Sequence, residues 1–108
     1  MTVSSLVDKG FSAVTLPDGD RTVNGVYIGD LLSWVMSSCS CDNIWLTIMS
    51  NINVIAVASL TDASCVILCE GVTLDEAVIK EAENKGVNVL STDKTSYEAA
   101  ILLSEILK

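Results

Sequence analysis

Apolar residues run almost unbroken through Asn43–Met49 (NIWLTIM) and Cys65–Cys69 (CVILC, followed by Glu70), and again through Val87–Ser91. Unbroken apolar runs of this length predict strands buried on both faces, as in parallel sheets covered by helices. The intervening segments carry helical spacing. Val54–Leu60 (VIAVASL) fits either a strand or a buried helix by composition, and its place between two strands favours a helix. Thr73-Leu74-Asp75-Glu76 reads as a capping box opening a helix to Lys85, with Leu74, Ala77, Val78 and Ala82 inward and Gly86 at its end. Thr95–Glu98 is a second capping box. The helix it opens has a broad apolar face at Ala99, Ala100, Leu102, Leu103, Ile106 and Leu107.

The first forty residues are less regular. Val3, Leu6 and Val7 predict a short helix over 2–9 closed by Gly10, and Phe11–Leu16 alternates as a strand. Pro17-Asp18-Gly19-Asp20 is a turn signal. Val23, Tyr27 and Ile28 then favour an extended run, with Gly25 marking a bulge or close backbone approach. Apolar residues at 31, 32, 35 and 36 predict a helix ending near Ser37–Ser40, with Asp30 placed to cap it. Strand–helix alternation in the second half requires right-handed crossovers. The expected fold is a three-layer α/β/α sandwich on a mostly parallel sheet, in a single domain spanning 1–108, with its strand order open.

The stretch Asp20–Met36 (DRTVNGVYIGDLLSWVM) resembles the DRTGG domain, a module found alone or within larger bacterial proteins. Asp20, Arg21, Thr22 and Gly25 fit the motif, followed by Tyr27, Gly29, Asp30, Leu31 and Leu32, while Val26 stands where a second glycine is expected. The resemblance implies the same α/β/α architecture and kinship with the N-terminal domain of the HPr kinase/phosphorylase family. It also implies a regulatory module that contributes to dimer contacts, here through the motif strand and helix. Read without the family, Asp20 and Arg21 either touch a partner or form a local pair that holds the turn.

Composition narrows the function classes. The 108 residues carry a net charge of −8, with six basic residues scattered along the chain. Nucleic-acid affinity rests on basic patches against phosphate, so this chain is expected to repel nucleic acid and anionic membranes alike. No apolar run approaches the ~18 residues of a membrane span, and no secretory signal opens the chain, so a cytoplasmic location is expected. There is no GxxxxGK[ST] phosphate loop, no nucleophile elbow and no histidine. The kinase chemistry associated with relatives is therefore not expected here. Neither a catalytic group nor a cofactor is assigned.

The four cysteines, Cys39, Cys41, Cys65 and Cys69, have spacings unlike common metal motifs. Cys65 and Cys69 stand about 13 Å apart along a strand at ~3.3 Å per residue. Core packing is the plainer role, with a metal or redox sensor as the alternative. Trp34 is either an interface residue or part of the core. The candidate ligand site is the carboxyl edge of the parallel strands, where open α/β sheets bind ligands. Three loops are expected there, bringing Asn51 and Asn53, then Glu70, Gly71 and Thr73, then Ser91, Thr92 and Asp93. These residues suit an anion or a nucleotide, or else only cap helices. The function expected is non-catalytic: a homodimer that senses a small molecule or docks a protein. The alternative is a small accessory or phosphotransfer enzyme using Asp93, Glu70 or a cysteine.

Overall fold

Five strands form one mixed sheet in the order β1-β5-β4-β3-β2 in the computed structural model, which describes residues 1–108. The strands are β1 (Ser12–Thr15), β2 (Val26–Ile28), β3 (Ile44–Thr47), β4 (Cys65–Leu68) and β5 (Val89–Ser91). The helices are α1 (Leu32–Ser38), α2 (Ile52–Thr61), α3 (Glu76–Lys85) and α4 (Ser96–Ile106). Strands β2 to β5 are parallel, and β1 runs antiparallel along β5. The ambiguous run at 54–60 lies within α2.

Alternate residues of the central strands face opposite layers. Trp45, Val66, Leu68 and Val89 point to one core, filled by Val35 of α1, Val54 and Ile55 of α2, and Val78 and Ala82 of α3. Ile44, Leu46, Cys65, Ile67 and Leu90 point to the other, filled by Val3, Leu6 and Phe11 of the N-terminal segment and Ala99 and Leu103 of α4. All four residues of β3 and of β4 are buried, which is why these strands read as unbroken apolar runs.

Three local expectations fail for identifiable reasons. The helix expected over 2–9 is a single 3-10 turn at Ser4–Leu6. Val3 and Leu6 are both fully buried, so one turn already delivers the apolar face. Asp30 does not cap α1. The helix begins after Leu31, and the Asp30 carboxylate instead accepts from Thr47 Oγ1 at 2.7 Å and Ile48 N at 3.0 Å. Thr73 does not cap α3 either: the N-cap is Asp75, without a side-chain bond. The chain stays out of helix through 72–75, and Leu74 packs against the core there. The second capping box forms as expected, with Thr95 Oγ1 accepting from Glu98 N at 3.2 Å and Glu98 Oε1 accepting from Thr95 N at 3.0 Å.

Candidate functional site

The helices that follow β4 and β5 leave the sheet on opposite sides. α3 packs in the layer with α1 and α2, whereas α4 packs in the other. Adjacent parallel strands whose connections diverge leave a crevice at their carboxyl ends, the topological switch point of an open sheet. A pocket of about 350 Å³ lies there. It is lined by Gly71, Val72 and Thr73 after β4, and by Ser91, Thr92, Asp93 and Lys94 at the end of β5. Because β1 is antiparallel, its beginning reaches the same edge and adds Gly10 and Ser12.

Backbone bonds lock the two loops together. Glu70 N donates to Lys94 O at 2.8 Å, Gly71 N to Thr92 O at 3.0 Å, and Thr92 N to Leu68 O at 2.9 Å. The turn after β4 is made by two consecutive left-handed residues, Glu70 (φ 60°) and Gly71 (φ 71°). Gly71 serves this turn without the steric cost that a Cβ brings at positive φ.

Of the loop residues expected at this edge, the structure brings together Gly71, Thr73, Ser91, Thr92 and Asp93. Glu70 contributes backbone to the turn but does not line the pocket. Asn51 and Asn53 sit beyond β3, outside it. Asn51 is the N-cap of α2 and accepts from Asn53 N at 2.9 Å, the capping role. Lys94 belongs to the 91–94 loop expected at this edge, whereas Gly10 and Ser12 were missed as site residues. Gly10 and Ser12 reach the site only because β1 pairs with β5, a contact between the two ends of the sequence.

Far from the pocket, Arg21 ties three segments. Its Nε donates to Asp42 Oδ1 at 2.9 Å, and its second guanidinium nitrogen pairs with Asp62 Oδ1 at 2.7 Å and donates to Asp62 O at 2.6 Å. Both aspartates are left-handed, Asp42 (φ 66°) before β3 and Asp62 (φ 59°) as the C-cap of α2. Partial burial alone would lower the Arg21 pKa, but its hydrogen bonds to Asp62 and then Asp42 outweigh it and raise it. In turn the Arg21 hydrogen bond, with a second from the Cys41 thiol, holds the Asp62 carboxyl below the usual carboxylate range. The local Asp20–Arg21 pair, one of the two readings of the sequence, is not made. Asp20 is exposed, and the partners of Arg21 lie 21 and 41 residues on.

Residues 19–106 match the DRTGG domain. The chain belongs to the DRTGG domain family. A crystal structure of the CBS and DRTGG domains of the regulatory region of Clostridium perfringens pyrophosphatase, complexed with the activator diadenosine tetraphosphate, has a similar fold. The likeness has a TM-score of 0.71 at 17% identity, over 92% of this chain and 44% of that one. The chain thus spans less than half the length of that neighbour. No curated protein matches it.

Several residues of the DRTGG motif have a structural task, although Asp20 makes no hydrogen bond or ion pair. Arg21 makes the clamp. At Gly25 (φ 83°) a Cβ would lie 2.9 Å from Asn43 Nδ2. At Gly29 a Cβ would lie 2.8 Å from the Tyr27 ring, and the Gly29 carbonyl accepts from the buried Trp45 Nε1 at 2.9 Å. Asp30 pins the end of β3, as described above. Thr22 is exposed and forms an isolated bridge with Thr2.

The thiols are dispersed. Cys39, Cys65 and Cys69 are buried and Cys41 is exposed. Burial pushes the Cys65 thiol up to about 12 and raises those of Cys39 and Cys69. Cys41 donates to Asp62 Oδ2 at 3.3 Å, which raises its pKa and leaves the thiol form favoured. No three histidine, cysteine or acidic side chains gather as a metal site would need. No helix is long and apolar enough to cross a membrane.

Proposed function

We infer that the chain is a non-catalytic regulatory module that senses a small polar ligand at the switch-point pocket. The observation that supports this most directly is the pocket itself, where loops from β1, β4 and β5 converge on hydroxyls and one acid–base pair of residues. The neighbour described above belongs to a regulatory region that carries a nucleotide activator, which accords with a sensing role. The pocket contains no histidine and no cysteine, so it offers neither a thiol nucleophile nor an imidazole base.

Ligand binding here is read out through self-association. The proposed surface surrounds the short edge strand β2, where Ile28, Leu31, Trp34 and Met36 are all exposed. Trp34 is 65% exposed and sits on a helix that carries no charge, as suits an interface with a second copy. A docked protein at this surface is the variant reading, and a cytoplasmic setting is proposed with both.

A thermal-shift screen against nucleotides and phosphorylated metabolites, run with light scattering, tests the proposal. A ligand at a hundred times its dissociation constant adds ~2.7 kcal/mol, or roughly 10 °C or more for a domain of this size. The shift is expected to shrink in Thr73→Val and in Asp93→Asn. A flat screen refutes the sensing role, and a monomer at all concentrations refutes the dimer.

A further inference from the structure

Asp93 and Lys94 are neighbours in sequence, yet their side chains lie over different walls of the pocket. A Cβ placed on Gly10 would sit 3.7 Å from Lys94 Cε, so the lysine stem runs over the residues that lead into β1. A Cβ placed on Gly71 would sit 3.3 Å from Asp93 Oδ1, so the carboxylate lies over the turn leaving β4. In the sheet, β5 stands between β1 and β4. The cation therefore occupies one flank and the anion the other. Neither is consumed by an ion pair, since the three salt bridges of the chain lie elsewhere. Ser12, Thr73, Ser91 and Thr92 supply four hydroxyls among the lining residues, and Val72 is the one apolar residue there. The backbone N–H groups of Thr73 and Asp93 meet no protein acceptor.

This arrangement is selective. One ammonium, a compact point charge, matches one phosphate group. The lining is neutral in sum and the chain carries −8, which disfavours a polyphosphate. The lining has no aromatic ring on which a nucleobase could stack. A carboxylate facing hydroxyl-bearing walls is suited to accept from neighbouring hydroxyls of a sugar, as acidic residues do with ribose. A volume of about 350 Å³ falls within the range of small-molecule sites.

Resting on the sensing role proposed above, the geometry points to a small polyol carrying a single phosphate as the ligand class. Its phosphate lies against Lys94 on the β1 flank, and adjacent hydroxyls lie against Asp93 on the β4 flank.

Calorimetry and amide NMR with ribose 5-phosphate, 2-deoxyribose 5-phosphate, ribose, inorganic phosphate, glutamate and adenosine triphosphate test this. Ribose 5-phosphate is expected to shift the amides of residues 71–73 and 91–94. It should bind about tenfold or more tightly than either ribose or the deoxy compound, the scale of one hydrogen bond to a charged group. Lys94→Gln should erase the advantage over ribose, and Asp93→Asn the advantage over the deoxy sugar. Both side chains are exposed, and matching melting curves confirm that the variants fold. Equal affinity for the deoxy sugar overturns the diol contact, and tighter binding of glutamate or the triphosphate overturns the ligand class. If only such a competitor shifts those amides, the class fails while the sensing site stands. If nothing in this set or in the wider screen shifts them, both fail.

Discussion

Replacing Arg21 with glutamine removes the only arginine in the chain and breaks the clamp on Asp42 and Asp62. The magnitude follows from exposure. The side chains of Arg21, Asp42 and Asp62 are 21%, 34% and 62% exposed, so each ion pair is worth only ~0.2–1 kcal/mol. The donation to the Asp62 carbonyl, which closes the end of α2, adds ~0.5–1.5 kcal/mol. The expected loss is therefore about 1–3 kcal/mol by urea unfolding at pH 7, or roughly 5–20 °C in Tm. Arg21→Lys should recover less than half, because an ammonium cannot reproduce the planar fork. The pH dependence is a separate check. The folded Asp62 pKa lies below its ordinary 3.8, so its contribution is fully present above that value. It is lost as pH falls through the lower folded value. The gap between wild type and Arg21→Gln should be constant from about pH 7 to pH 5 and narrow below about pH 4. A loss under about 0.5 kcal/mol, a lysine variant equal to wild type, or a gap unchanged in acid would refute the clamp as a stabilising element.

Two further outcomes follow from other parts of the fold. In native protein, iodoacetamide should label Cys41 alone among the four thiols, slowly at pH 7 because Asp62 favours its protonated form, and faster in Asp62→Asn. Mass spectrometry of the labelled peptides reads this, and native labelling of buried Cys65 would contradict the packing. Thr95→Ala should cost ~1 kcal/mol by loss of the capping box, measured by urea unfolding, and a neutral change would mean that α4 is held by packing alone.

The alternation of strands and helices was legible because it is written in local periodicity. The fully buried strands β3 and β4 and the Thr95–Glu98 box all followed from residues within a few positions of one another. Failures came where a side chain found a distant partner instead. Asp30 had the form of a cap, but the end of β3 offered it a hydroxyl and an amide. Thr73 and Glu76 had the spacing of a capping box, but the chain stayed unwound to bury Leu74. Asp42 and Asp62 carried one local sign of their role, a short polar side chain able to hold left-handed backbone, yet nothing nearby named Arg21 as their partner. At the candidate site, the β4 and β5 loops were legible from strand ends, while Gly10 and Ser12 depended on a pairing that spans most of the chain.

That pairing also orders events in time. Ser12–Thr15 pairs in the sheet with residues around Val89–Ser91, so β1 waits for β5 to be translated before it has a neighbour. At translation rates of ~5–20 residues per second, the wait is on the order of several seconds. During it, the parallel core of β2, β3 and β4 can assemble by local crossovers, each closing a short loop, whereas docking β1 closes the longest loop in the molecule. The side of the pocket built by Gly10 and Ser12 cannot form before β5 exists, so a nascent or C-terminally truncated chain that lacks β5 has no complete binding edge.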